Sequence, residues 1–370
     1  MNKKLVILPV VLGIILGTLL TGCAPAAVNP VSTATPVGTA VPDSTLALAS
    51  TATPASTEVP ADTATPVAPT TAPTAAAAAS TATQAPAAEN VVFPLTVTDS
   101  LEREVTIPSK PARLISLAPS VTEILFAVGA GDQVVGVTSF CNYPAEATTR
   151  EVVGGYDPNT ISVEKIVSLK PDLVFVEDII HQPIIDALDG LGIPVVAVAA
   201  RTVAGVYDNI AFVGQVTGHP DGAIQVVTSM QDRINAIAAR LANVPANERP
   251  TVFWEMWDEP LMTAGPNTFT SQIIELAGGV NIFSDVTQDY PQVSLEEVVT
   301  RNPAVIMSAD THGDKLSAEQ VAQRPGWANI DAVKNNRIYL LNGDIVSRAG
   351  PRLADAVEAA ARALHPELFQ

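Results

Sequence analysis

From Phe93 onward, apolar and polar positions follow two rhythms. "FPLTVTDSLEREVTIP" alternates in steps of two on either side of Asp99-Ser100 and predicts a β-hairpin. After it come "RLISLAP", "QVVGVTS", "DLVFVE" and "IPVVAVAA", short apolar runs of the buried-strand type. Between them, "SVTEILFAVGA", "SVEKIVSLK" and "HQPIIDALDGLG" place apolar residues at helical spacing. Ser120 with Glu123 three residues on predicts a capping box, and Gly129 a helix C-cap. Strands alternating with helices imply a parallel sheet with helices on its faces. The second half repeats the scheme: "TVFWEMW", "AVIMSAD" and "RIYLLNG" read as strands, and "TSQIIELAGG", "SLEEVVTRN" and "PRLADAVEAAARALH" as helices.

Between the halves, Ile224, Val227, Met230, Ile234, Ile237 and Leu241 recur at helical spacing and predict one long helix over 219–245. The expected fold class is therefore α/β, with two α/β lobes (91–218 and 246–370) built on parallel-type sheets, joined by that helix, and a ligand cleft between the lobes. A gapless internal match supports the division. "SVEKIVSLKPDLVFV" from Ser162 is repeated as "SLEEVVTRNPAVIMS" from Ser294, and that spacing is too long for a solenoid repeat. Each copy predicts a serine-capped helix with Glu in its first turn, ending before Pro and a strand.

The amino-terminal region differs. Lys3 and Lys4 precede an apolar core from Leu5 to Leu20, and small residues lead to Cys23. This is signal-peptide layout over 1–22, and the core falls short of the roughly 20 apolar residues that span a bilayer. Leu20-Thr21-Gly22-Cys23 resembles the lipobox of bacterial lipoproteins, which makes Cys23 the lipidated first residue of the mature chain. Residues 23–90 are rich in Ala, Thr and Pro, with no aromatic residue and no periodic face, and are expected to form a disordered, semi-stiff linker.

Charge and cysteine usage narrow the function. A formal charge of −18 argues against nucleic acid as a partner, because phosphate binding needs Lys and Arg. With Cys23 lipidated, Cys141 has no partner, and it is expected to be a partly buried small hydrophobe. No G-x-S-x-G, H-E-x-x-H or P-loop pattern occurs, and "GAGDQVVG" follows a helix rather than a strand, so its glycines end a helix. Of four histidines, His219 and His365 read as solvated loop residues; His181 and His312 could approach a cleft, but their spacing suggests no metal site. An enzyme is therefore the weaker expectation.

Open α/β sheets bind ligands beyond the carboxyl ends of their strands. The groups there are Pro119, Ser120, Phe140, Tyr143 and Tyr156 in the first half, and Met256, Trp257, Asp258, Tyr290, Asp344 and Arg348 in the second. Aromatic faces with a few polar groups suit a large, flat, partly apolar ligand.

The stretches "RLISLAPSVTEILFAVGAGDQVVGVTSFCNYP", "VGGYDPN", "LAGGVNIFSD", "YPQVSLEEVVTRNPAVI" and "GPRLADAVEAAARAL" resemble the substrate-binding lipoproteins of ABC importers for cobalamin, haem and iron–siderophore complexes. The similarity spans about Phe93 to Leu364 and is strongest to the cobalamin-binding branch. It implies a monomeric, extracytoplasmic receptor held at the membrane by lipid on Cys23. That receptor would capture cobalamin or a related corrinoid and deliver it to an ABC permease with its ATPase. Pro119, Tyr143, Tyr156, Met256, Tyr290, Asp344 and Arg348 are then expected around the ligand, with no cofactor and no metal. Glu164 and Glu296 match the acids that dock on permease arginines. Cobalamin binders tend to carry tryptophan near the positions of Tyr156 and Tyr290, so haem or a ferric siderophore is the alternative ligand. A metal-ion receptor or an enzyme on this fold is a more distant one.

Overall fold

The computed structural model describes residues 91–309 and 316–369. The signal peptide, Cys23, the linker and His312 lie outside the described residues. β1 (Leu95–Thr98) and β2 (Glu104–Ile107) form the expected antiparallel hairpin, Leu95 opposite Ile107. Asp99 at its turn accepts the backbone N–H groups of Leu101 and Arg103, each at 3.0 Å, an Asx-type turn. The same carboxylate accepts from Ala197 N–H at 3.0 Å, which ties the hairpin to the first sheet.

That sheet is laid down by β3 (Leu114–Ser116), α1 (Pro119–Ala127), β4 (Val134–Thr138), β5 (Glu151–Gly154), α2 (Val163–Ser168), β6 (Leu173–Val176), α3 (Gln182–Asp189) and β7 (Val195–Ala197). Its strands are all parallel, in the order β5-β4-β3-β6-β7. The order reverses between β3 and β6, so the crevice of this lobe opens beyond those two strands. Two helices follow, α4 (Val203–Thr217) and α5 (Pro220–Leu241), the second being the long helix between the lobes. Gly222 lets α5 cross the end of α1: a Cβ there would meet the Val128 carbonyl oxygen at 2.0 Å.

The second lobe comprises β8 (Thr251–Asp258), β9 (Leu261–Thr263), α6 (Phe269–Leu276), β10 (Val280–Asn281), α7 (Leu295–Arg301), β11 (Val305–Ser308), α8 (Ala318–Ala322), α9 (Asp331–Lys334), β12 (Ile338–Leu340), α10 (Gly343–Val346) and α11 (Leu353–Leu364). The order β10-β8-β11-β12 is parallel, with β9 antiparallel on β8.

The largest core cluster is shared by the two lobes. It runs from Leu114 and Ile124 through Ile210 and Val213 of α4 and Ile234 of α5 to Trp254, Ile273 and Val357. Each sheet has a smaller cluster on its outer face, around Ile115, Ile166 and Val174 in the first lobe and Phe253, Phe283 and Trp327 in the second.

Three local expectations are corrected. The N-cap of α1 is Ala118, with Pro119 at the first helical position, and no side chain caps it. Ser120 and Glu123 are both buried inside the helix, and Glu123 is drawn to arginines of the other lobe. The capping box occurs instead at Ser317 and Gln320, opening α8. His365 is 4% exposed, with Nε2 3.1 Å from the Gly278 carbonyl oxygen, because the chain end folds back over α6. Cys141 is more deeply buried than expected and hydrogen-bonds through Sγ with the hydroxyls of Thr122 and Thr138. Gly129 does end α1, at φ +92°.

Candidate functional site

Beyond the carboxyl ends of the strands lies a cavity of about 350 Å³ between the lobes. The first lobe supplies Ser120 from α1, Tyr156 after β5, Glu177 and Asp178 after β6, and Arg201 after β7. Ser120 and Glu177 stand at the β3/β6 reversal point. The second lobe supplies Asn267 before α6, Asp289 and Tyr290 before α7, and Ser347 and Ala349 between α10 and α11. Tyr156 and Tyr290 therefore face one space from opposite lobes, each more than 40% exposed.

Burial, reinforced by the nearby negative charge of Glu177, pushes the Tyr156 phenol up to about 12, so it stays protonated at any physiological pH. Burial also raises the Tyr290 phenol and the Glu177 carboxyl. The His181 ring packs edge-on against Tyr156, centroids 5.9 Å apart, and burial lowers its basicity. Arg201 and Asp289 bridge the lobes at 3.0 Å on the cavity wall.

Asp344 and Arg348 stand beside this cavity in a second bridge between the lobes. Arg348 donates to Glu123 at 2.9 Å, Asn142 Oδ1 at 2.8 Å, the Phe140 carbonyl at 3.2 Å and Asp344 at 2.7 Å. Arg352 donates twice more to Glu123, at 2.9 and 2.6 Å. Its guanidinium also lies 4.2 Å from the centre of the Tyr143 ring. Beyond this bridge a second cavity, about 640 Å³, is lined by Tyr143, Phe126, Arg150, Arg233 and Arg352 among others.

The site residues expected from sequence are thus distributed. Tyr156 and Tyr290 line the first cavity, Tyr143 lines the second, and Asp344 and Arg348 sit in the bridge between them. Pro119, at the start of α1, and Met256, half-buried against the shared core, line neither cavity. Glu164 and Glu296 are exposed in the first turns of α2 and α7, away from both cavities. Their helices are capped alike: Ser162 accepts from Lys165 N–H at 3.2 Å and Ser294 from Glu297 N–H at 3.1 Å.

Sequence reading missed Glu177 as a wall of the cavity, because one acid after a strand carries no local signal. Phe140 is 47% exposed, and its ring lies 3.6 Å from where a Cβ on Gly155 would stand, next door to Tyr156. Among the described residues no group of three or more His, Cys, Asp or Glu is placed to hold a metal ion, and no helix is long and apolar enough to cross a membrane.

A family model described as periplasmic binding protein matches residues 114–345. The chain belongs to the periplasmic binding protein family. It is 36% identical over 284 residues to the ABC transporter substrate-binding lipoprotein YvrC of Bacillus subtilis, covering 75% of this chain and 88% of that one. It is 34% identical over 279 residues to a cobalamin-binding protein of Halobacterium salinarum, covering 74% of each. The crystal structure of the periplasmic vitamin B12-binding protein BtuF of Vibrio cholerae superimposes with a TM-score of 0.59 at 30% identity, covering 71% of this chain and all of that one. As a periplasmic binding protein, the chain is the substrate-binding component of an ABC transporter and not an enzyme.

Proposed function

We propose that this periplasmic binding protein is a lipid-anchored, monomeric receptor. It captures cobalamin or a related corrinoid and delivers it to an ABC permease with its ATPase. The observation that carries the reading is the pair of half-exposed tyrosines, Tyr156 and Tyr290, facing one cavity from opposite lobes. Two aromatic faces with a ring of hydroxyls, carboxyls and amides suit a flat macrocycle with a polar rim. The relatives named for cobalamin and vitamin B12 support that ligand class.

Cyanocobalamin titrated into the full-length protein, followed by its visible spectrum and by calorimetry, tests the reading. Tyr156→Ala and Tyr290→Ala should each weaken binding by about thirtyfold, the equivalent of roughly 2 kcal/mol of buried ring surface. Unchanged affinity in both variants would move the ligand out of this cavity.

Anchoring is tested separately. Acyl chains contribute about 0.8 kcal/mol per buried methylene, so the two or three carried by a lipoprotein cysteine hold it at the membrane. Cys23→Ser should abolish labelling by radioactive palmitate and release the protein from the membrane. Persistent labelling would refute lipidation at that cysteine.

A further inference from the structure

We propose that His181 positions Tyr156 for the cargo, and that a proton taken up by its ring withdraws that support and loosens capture. The proposal rests on the reading above of Tyr156 as a wall of the cargo site.

His181 closes a short 3-10 turn, Ile179–His181, between β6 and α3. The turn follows Glu177 and Asp178, which both line the cavity. Tyr156 lines the same cavity, and its ring meets the His181 ring at 84°, centroids 5.9 Å apart. His181 is 0% exposed, yet neither Nδ1 nor Nε2 makes a hydrogen bond. Buried polar atoms are ordinarily paired, so this ring sits where it does at some cost to stability. What it supplies there is a flat, enclosed neighbour that limits how Tyr156 can turn.

The same arrangement makes the support sensitive to a proton. Burial is the larger influence on His181 and lowers its basicity, while the Tyr156 backbone and the Asp178 carboxylate favour the charged ring. The other acids around the turn are engaged. Glu177 takes hydrogen bonds from the Tyr156 and Ser120 hydroxyls, and Asp157 accepts from Asn159 N–H at 2.9 Å. On α3, Asp186 accepts from Gln182 at 2.6 Å and Asp189 pairs with Arg103 at 3.6 Å.

An imidazolium has two N–H donors and no acceptor. Once charged, the ring is drawn to the Tyr156 carbonyl and Asp178 and leaves its upright contact with the phenol. Cargo lying on Tyr156 resists that movement, so proton and cargo compete. Affinity is then full while His181 is neutral and falls as the pH drops through its depressed value, below 6.5. By favouring the neutral ring, bound cargo lowers that value further.

Two measurements on the full-length protein test this. The first needs no cargo: histidine and tyrosine ring resonances are followed by NMR from about pH 7.5 to about pH 5. Tyr156 should shift with the midpoint of His181, and should stay still in His181→Phe, which keeps a ring but takes no proton. The second titrates cyanocobalamin, whose own groups hold their charge over that range. The wild type should bind about tenfold more weakly at the acid end. His181→Phe should match the wild type at neutral pH and lose the acid limb. His181→Ala should bind roughly threefold to tenfold more weakly at neutral pH, since the ring contact itself is gone. Burial raises the Glu177 carboxyl, so Glu177→Gln is the control and should keep the limb.

Tyr156 resonances that ignore the His181 titration overturn the proposal, and the wild type alone decides this if a variant does not fold. So does a wild-type affinity that is flat with pH, or an acid limb that survives in His181→Phe. A limb that vanishes in Glu177→Gln assigns the proton to Glu177 and overturns it too. Failure to bind cyanocobalamin at either pH removes the corrinoid reading alone. The free protein's resonances then decide: a shared midpoint keeps His181 as the positioning residue of Tyr156, and separate behaviour ends it.

Discussion

Replacing Glu123 by alanine is expected to destabilise the folded region by about 3–5 kcal/mol, the cost of breaking a buried ion pair from one side. Glu123 accepts three hydrogen bonds from two arginines of the opposite lobe, and its side chain is 1% exposed. Without it, Arg348 keeps Asp344 as a partner, but Arg352 keeps no carboxylate, only the Asp344 carbonyl oxygen at 3.2 Å and the Tyr143 ring. Both guanidiniums remain 11–14% exposed, too enclosed for water to replace the carboxylate fully. Urea unfolding of wild type and variant checks this, with the midpoint falling at an unchanged slope. Glu123→Gln should lose less, since the amide oxygen still accepts from one arginine. A loss below about 1 kcal/mol for the alanine variant would mean the bridge behaves like an exposed ion pair.

Glu164→Arg combined with Glu296→Arg should abolish uptake while leaving ligand affinity unchanged. Both side chains are exposed, in equivalent first turns of serine-capped helices on the two lobes, and neither lines a cavity. If they meet arginines of the permease, reversing both charges turns two attractions into repulsions at the docking face. Transport in reconstituted vesicles and calorimetry on the free protein separate the two effects. Normal transport would reduce both glutamates to favourable charges at helix amino-termini, worth roughly 0.3–1 kcal/mol each.

The main strands and the long helix were legible because each is an apolar run bounded by turn residues. α5 shows the period plainly: Met230, Ile234, Ile237 and Leu241 are all buried, as their spacing predicts. α4 was harder to see. Its Gly205, Gly214 and several valines are weak helix formers, and it is held by the core shared between the lobes. The edge strand β5 is short and half-exposed, so "EVVG" carries no clear strand pattern. The tyrosines of the cleft were found because aromatic residues after strands stand out from the polar loops around them. The roles of Glu123 and Asn142 were not legible, because their partners are more than 200 residues away in sequence. Such pairing depends on how two separately patterned halves meet, and no local spacing encodes it.

The core shared by α1, α4, α5, α6 and α11 bears on how a transporter tells a loaded receptor from an unloaded one. A binding protein whose lobes hang on flexible strands can announce its cargo by snapping shut. Here a wide swing would tear Ile124, Ile210, Ile234, Ile273 and Val357 from one another and bring them into water. On the proposed function, the message is then written in the skin of the molecule rather than its posture, in a tyrosine pair that the cargo covers. If Glu164 and Glu296 dock on the permease as proposed, they then hold a nearly constant separation whether or not cargo is present. On the proposed function, a permease would sense occupancy from the contents of the mouth and release the cargo by forcing apart lobes that do not part readily by themselves.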